Sequence, residues 1–160
     1  MPEGKGYQMR GEGSTHVAVS PQELWDIVMD EARLAAAIPG ADTLRRDDDG
    51  VERVYAADVG IGVGRLKGTY LVRARFADCE PPHGLQLFGG AEGPFGNSNG
   101  EGWVYFEAAD GGTTVHYSYA ILIQGLVAKA GGLLLEPAAD MLISKFFTRL
   151  ANSVEQTKNG

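Results

Sequence analysis

The strongest structural signal in this chain lies in residues 20–30, Ser20-Pro21-Gln22-Glu23-Leu24-Trp25-Asp26-Ile27-Val28-Met29-Asp30. Ser20 can accept a hydrogen bond from a free N–H group of a first helical turn, and Pro21 at the first helical position gives up no hydrogen bond. The apolar residues that follow recur at helical spacing and predict an amphipathic helix. A second short helix follows, and Ile38-Pro39-Gly40-Ala41 ends it sharply.

Strand patterns lie on both sides of this helical segment. Thr15, Val17 and Val19 alternate before it, and residues 65–78 alternate apolar with polar side chains in the clearest strand of the chain. Further strands are expected at 43–46, 53–59, 85–88, 102–108 and 113–123, with a glycine- and asparagine-rich loop over 89–100. For Trp103-Val104-Tyr105-Phe106 both phases are apolar, so the pattern leaves the inward face open.

The chain finishes with a long helix whose apolar residues recur every three or four positions: Leu134, Ala138, Met141, Leu142, Phe146, Leu150 and Val154. Pro137 near its start predicts either a kink or the true first turn. We expect Met141, Leu142 and Phe146 on its buried face. The whole pattern predicts an α+β domain, in which a six- to seven-stranded antiparallel sheet wraps around the C-terminal helix.

Length and charge narrow the functional classes. The chain has 160 residues, a net charge of −7 and one cysteine. We expect one domain over 1–160, with flexible ends at 1–8 and 156–160. The acidic balance argues against nucleic-acid binding, because phosphate contacts need clustered Lys and Arg. The single Cys79 and the lack of an apolar leader favour a cytoplasmic protein.

The chain combines four features in a particular order and spacing: the helical segment, a glycine-rich hairpin at 59–70, a late strand at 112–119 and a final helix opened by residues 125–131. In the order and spacing of these features it resembles the CoxG family, which is named for the G subunit of carbon monoxide dehydrogenase. This family belongs to the helix-grip superfamily, which includes START lipid-transfer domains. The resemblance covers residues 9–155. It implies a helix-grip fold with an internal apolar cavity, association with a molybdenum-containing carbon monoxide dehydrogenase or related hydroxylase, and recruitment of that enzyme to the inner face of the cytoplasmic membrane.

An apolar cavity and a role at the membrane, taken together, suggest a non-enzymatic carrier of a hydrophobic ligand. This ligand would be either a lipid or a quinone such as menaquinone or ubiquinone. No intrinsic cofactor and no metal are expected, because His16, His83 and His116 lie in separate elements. The ligand-binding residues are expected on the inward strand phases, the first helix, the 89–100 loop and the last helix: Trp25, Tyr70, Val72, Phe95, Tyr117, Tyr119, Leu134, Met141 and Leu142. Tyrosine hydroxyls in such a pocket can orient a polar ligand head.

Ile61 and Val63 lie on the glycine-rich hairpin with no evident partner in the sequence pattern. An exposed apolar tip often contacts a membrane or another protein. We therefore expect these two residues to dock on one or the other. An ordinary hairpin, with glycines supplying positive φ angles, remains the alternative.

Two further functional classes remain open. A polyketide cyclase- or dehydratase-like enzyme would need an ionisable residue inside the cavity, and Asp58, Glu101 and Glu107 are the carboxylates within strands. Outward placement is expected for each of them. An adaptor or maturation factor would instead have a filled core without a cavity. The chain shows no nucleophile elbow, the Gly-x-Ser-x-Gly turn between a strand and a helix that would expose a nucleophilic serine. We therefore expect no catalytic residue.

Overall fold

The capping interactions expected around residue 20 are present in the computed structural model, which describes residues 6–38, 41–46, 53–61, 67–130 and 132–159. For residues 41–43, 53, 61, 130, 132–134, 151 and 154–159 it describes the helix or strand to which they belong, but not their side chains. Ser20 Oγ accepts a hydrogen bond from the Glu23 amide at 3.2 Å, and Pro21 opens the helix. Asp30 Oδ1 caps the next helix through the amides of Ala32 and Arg33 at 3.0 and 3.2 Å.

The described residues form seven strands, three α-helices and a 3₁₀ helix. In chain order these are β1 Tyr7–Val17, α1 Pro21–Val28, α2 Glu31–Ala37, β2 Ala41–Arg46, β3 Arg53–Ile61, β4 Gly68–Glu80, β5 Gly84–Gly93, β6 Gly96–Ala109, β7 Gly112–Gln124, the 3₁₀ helix Leu126–Ala130 and α3 Gly132–Asn159. Both terminal segments expected to be flexible thus overlap the ends of β1 and α3.

All seven strands belong to one antiparallel sheet in the order β1-β7-β6-β5-β4-β3-β2. The first strand, β1, pairs with the last strand, β7. From β2 to β7, each strand pairs with the next one along the chain. Side chains alternate between a face toward the helices and an outer face. The expected α+β helix-grip architecture, with two short helices after β1 and a long C-terminal helix, is confirmed.

The prediction of a loop over residues 89–100 is wrong. β5 continues to Gly93, a turn at Pro94 and Phe95 follows, and β6 begins at Gly96. Glycine here indicates close strand contact, because a Cβ at Gly89 would collide with the carbonyl oxygen of Arg73 on β4. Loop-like composition therefore concealed two long paired strands.

The α3 helix runs through Pro137 rather than beginning there. Its core-facing residues include Leu135, Ala139, Leu142, Phe146, Phe147 and Leu150. Met141 is 49% exposed, so the prediction that it lies on the buried face is wrong. One residue advances a helix by about 100°, which places Met141 outside a stripe that passes through Leu142.

Most of the buried apolar residues in the described part of the chain belong to two separate clusters. The larger one, the main core, joins α1, α2 and the second half of α3 to one end of the sheet, and includes Leu24, Trp25, Val115 and Leu150. The smaller one, the small core, consists of buried Met9, Ile123 and Leu135 with partly buried residues around them. The first half of α3 is thus packed against far less buried side-chain mass than the second half.

Candidate functional site

An apolar cavity lies beside the small core, on the inner face of the sheet. It consists of two adjoining chambers that share Ser98 and Ile121. The smaller, of about 200 Å³, lies between the sheet and the first half of α3, and the described lining of the larger, of about 310 Å³, comes from β4 to β7. We call these together the inner cavity. The smaller chamber is lined by Met9, Tyr70, Ala91, Gly96, Asn97, Ser98, Ile121, Ile123, Val127, Leu135, Ala138, Ala139 and Leu142.

Small residues on the central strands leave the space for this cavity. The inward positions of β5 and β6 in this half of the sheet carry Gly89, Ala91, Ser98, Gly100 and Gly102 instead of large side chains. On α3, Ala138 and Ala139 face them. A sheet and a helix that meet through such residues cannot interdigitate fully, so an apolar void remains.

A few hydroxyl groups interrupt the apolar lining. Tyr70 lies in the smaller chamber, Tyr119 in the larger one, and Ser98 borders both. The pKa of Tyr119 is raised above its usual value. Partial burial is the largest cause, and the negative charge of the Asp140 carboxylate is the next largest. The tyrosine therefore stays a neutral hydrogen-bonding group throughout the physiological pH range.

The α3 side of the cavity is tied to the first strand by one long-range hydrogen bond. Tyr7 Oη donates to Glu136 Oε2 at 2.8 Å, and the pKa of this tyrosine is raised by that hydrogen bond. Glu136 follows Leu135, which lines the smaller chamber. The contact thus lies at the solvent-exposed edge of the cavity.

Three glycines provide room for the tyrosine rings on the inner face. Gly11 and Gly13 of β1 lie opposite Tyr119 and Tyr117 of β7, and a Cβ at either glycine would overlap the facing ring. Gly93 bears the same relation to Tyr70. Sequence reasoning missed this arrangement, although the Gly-x-Gly spacing opposite Tyr-x-Tyr was a readable signal once the strands were paired.

The cavity brings together four of the predicted ligand-binding residues: Tyr70, Val72, Tyr119 and Leu142. Trp25 and Tyr117 do not line it. Trp25 packs in the main core against Phe106, with ring centroids 6.1 Å apart, and Tyr117 stacks on Phe147 at 6.2 Å. Met141 points to solvent.

The remaining predicted residues lie at or beyond the described part of the site. Phe95 is half-buried on the β5–β6 turn, and its carbonyl oxygen accepts a hydrogen bond from Val127, a cavity residue, at 2.8 Å. Val63 and the side chains of Ile61 and Leu134 lie outside the described residues. Gly68, which opens β4, lies against Pro94. The described ends of the two hairpins therefore meet beside the cavity.

The strand carboxylates lie where outward placement was expected. Asp58 is paired with Arg45 at 3.7 Å, and Glu107 with His116 at 2.8 Å, all four side chains being well exposed. Glu101 belongs to the outward phase of β6. Among the described residues, no three His, Cys, Asp or Glu side chains come together in a group that would hold a metal ion.

None of the helices, over the residues described, is both long and apolar enough to span a membrane.

Solved structures with the same architecture include a conserved protein from Geobacillus kaustophilus. It is 29% identical, with a TM-score of 0.86 over 93% of this chain and 97% of that one. The Zhui aromatase/cyclase from Streptomyces sp. R1128 is 14% identical, with a TM-score of 0.69 over 94% and 95% of the two chains. Ara h 8.0201 is 16% identical, with a TM-score of 0.67 over 93% and 99%. At such identities the last two relate to this chain by fold alone.

Among curated proteins, no sequence is significantly similar to this chain. The family model for CoxG, the G subunit of carbon monoxide dehydrogenase, in contrast matches residues 13–155, from the middle of β1 nearly to the end of α3. The match includes the helical segment after β1, both hairpins beside the cavity and the helix that covers it. The chain therefore belongs to the carbon monoxide dehydrogenase CoxG family.

Proposed function

We propose that the protein binds a hydrophobic small molecule, a quinone or a lipid, in the inner cavity, and acts as a carrier rather than as an enzyme. The observation that supports this most directly is the apolar lining with isolated hydroxyls from Tyr70, Tyr119 and Ser98. The two chambers together fall within the range of about 300–1,000 Å³ that small-molecule sites occupy. An isoprenoid tail suits the apolar part, and a hydroxyl suits a carbonyl head group.

The proposed partner is a molybdenum-containing enzyme of the carbon monoxide dehydrogenase type. Membership of the CoxG family supports this association. A bound quinone would accept electrons that leave the enzyme and pass them to the respiratory chain at the membrane. Peripheral contact with the inner face of the cytoplasmic membrane would then be part of the same role.

The alternative, a polyketide cyclase- or dehydratase-like enzyme, needs an acid or base inside the cavity. The described residues that line the smaller chamber include no Asp, Glu, His, Lys or Arg. In the larger chamber Arg73 and Glu101 belong to the outward strand phases, so they contribute from the side away from α3. This distribution favours binding over catalysis.

Leu142→Trp tests the site, with Met141→Trp as its matched control. Leu142 lines the cavity, whereas its neighbour Met141 is 49% exposed. We expect Leu142→Trp to abolish retention of menaquinone or ubiquinone, because the indole fills the smaller chamber, while Met141→Trp retains it. The measurement is the quinone that remains with the folded protein after gel filtration, quantified by chromatography of the extract. Equal retention in both variants would place the ligand elsewhere.

Delivery of the ligand gives a second test. Ile61 and Val63 are expected to touch the membrane or partner, and each aliphatic side chain that enters an apolar environment contributes about 1.5–3 kcal/mol. The double substitution Ile61→Ser and Val63→Ser should therefore slow quinone exchange with liposomes at least about tenfold, with little change in Tm. Exchange at the unchanged rate would show that this hairpin has no docking role.

A further inference from the structure

A second concave region lies on the outer face of the sheet, away from the inner cavity. It is a groove of about 1340 Å³, formed by β1, β4, β5, β6, β7 and the β4–β5 turn. We call it the outer groove. Its lining residues include Glu12, Asp78, Glu80, Trp103, Tyr105 and His116. None of these belongs to the ligand site proposed above.

Two large aromatic side chains of β6 project into this groove. Val104 and Phe106 take the inward phase, which leaves Trp103 42% exposed and Tyr105 53% exposed on the outer face. The inward face of this strand, left open by the sequence pattern, is thus the Val104 face. Exposure of two neighbouring aromatic rings on one sheet face is a feature of interaction surfaces.

Trp103 is held by a hydrogen bond, and Tyr105 has a polar ring beside it. With the Gln86 amide oriented to satisfy both of its ends, its oxygen accepts from Trp103 Nε1 at 3.2 Å and its nitrogen donates to Asp78 Oδ2 at 3.2 Å. Tyr105 lies beside the His116 ring, with centroids 6.2 Å apart. Ordered rings lose little conformational entropy on binding, which favours association.

An irregularity in β4 adds a carboxylate to this surface. Phe76 faces the core, so regular alternation would also turn Asp78 inward. The register with β5 shifts between Ala77 and Glu80, and Asp78 takes a positive φ of 48°. The irregularity thus places Asp78 in the groove beside Gln86 and Trp103, as β-bulges commonly re-aim side chains.

Apart from two histidines, the charged side chains of the groove are all negative. The described residues that line it include three carboxylates and no Lys or Arg. Glu12 and Glu80 are exposed, and neither has an ion-pair partner among the described residues. Carboxylates beside aromatic faces attract cations, because the negative face of a Trp or Tyr ring adds to the ionic attraction.

We propose that the outer groove docks an Arg- or Lys-containing segment of a partner protein. The basic side chains would lie over Trp103 and Tyr105, with Glu12 and Glu80 as their counter-ions. The groove faces away from α3, so docking there leaves the inner cavity and its surrounding hairpins free.

A fluorescein-labelled peptide with six arginines alternating with glycines serves as the probe, and its anisotropy measures binding to the full chain. We expect Trp103→Ala with Tyr105→Ala, and separately Glu12→Gln with Glu80→Gln, to raise the Kd at least about fivefold. The matched control is Glu92→Gln with Glu23→Gln. It removes two exposed carboxylates that do not line the groove, so both glutamate pairs change the net charge of −7 equally. This control should change the Kd by less than about twofold.

A second measurement uses Trp25→Phe, which leaves Trp103 as the only tryptophan of a chain that has two. Its emission should shift when the arginine peptide is added and stay unchanged with a glutamate peptide or with phosphatidylcholine vesicles. The proposal is overturned if the wild-type chain does not bind the arginine peptide, or if the control pair weakens binding as much as the groove pair. A Trp103 shift with vesicles alone would likewise overturn it, in favour of a lipid-facing surface.

Discussion

Glycine residues on the inner face of the sheet differ in what a side chain would meet. A Cβ at Gly100 would collide with the backbone carbonyl of Ala120, which cannot rotate away. A Cβ at Gly102, two residues along the same strand, would lie 3.3 Å from the Ser118 oxygen and otherwise have space. The first glycine is therefore required by strand spacing, and the second mainly leaves room for the cavity.

This difference predicts unequal costs for the same substitution. Gly100→Ala should lower the free energy of unfolding by about 1–3 kcal/mol, because the methyl group forces β6 and β7 apart. Gly102→Ala should cost less than about 1 kcal/mol and slightly reduce the cavity. Urea unfolding of the two variants measures both values. Equal costs would mean that the strands adjust around Gly100 without strain.

At the scale of the element, α3 presents acidic side chains to two tyrosines of the sheet. Burial and Asp140 raise the pKa of Tyr119 above its ordinary value of 10.0. Between the unfolded and the folded pKa, the folded chain holds a proton that the unfolded chain has lost. This contribution to stability is complete below about pH 10 and is lost as the pH rises through the folded value.

Asp140→Asn should therefore move the ionisation of Tyr119 to lower pH, by removing a negative charge near the phenolate. NMR titration of ¹³C-labelled tyrosines follows this group directly. Asp26→Asn on α1 is the control, since no effect of Asp26 on Tyr119 is expected from that distant helix. An unchanged titration of Tyr119 in the Asp140 variant would exclude the Asp140 carboxylate as a cause of the raised pKa.

Elements also differ in how well their sequence predicts them. The α1–α2 segment was predictable, because its caps and apolar spacing are local and agree with each other. Residues 89–100 were not, since their glycines are explained by neighbouring strands that composition does not reveal. On α3, several apolar stripes fit the same spacing, and only packing against the sheet selects the one through Leu142 instead of Met141.

The candidate site was predictable to a similar, partial extent. Alternation identified the inward phases of β4 and β7, and so correctly placed Tyr70, Val72 and Tyr119 on the inner face. Trp25 and Tyr117 share an inward orientation but lie in the main core. Periodicity gives the face of a side chain and not its distance along the sheet, so the boundary between filled core and cavity needed the structure.

For the whole molecule, the division into two cores predicts where stability resides. Leu150→Ala should lower the free energy of unfolding by about 2–5 kcal/mol, because Leu150 is fully enclosed in the main core. Leu135→Ala should cost about 2 kcal/mol, at the low end of that range, because Leu135 borders the cavity and has fewer side-chain contacts to lose. Quinone retention should persist in the first variant. Thermal and urea unfolding, with ligand extraction, test both statements, and a larger loss for Leu135→Ala would contradict them.

The unequal cores also bear on how such a protein diverges. Ala91, Ser98 and Ala138 border empty space, so replacing them reshapes the ligand site while the main core still holds the fold. Selection can therefore act on ligand preference at these positions with little penalty in folding. Among descendants of one ancestor, we expect the lining of the small-core half to vary in side-chain size while the main core keeps its volume. One fold can in this way adopt new hydrophobic cargoes by single substitutions.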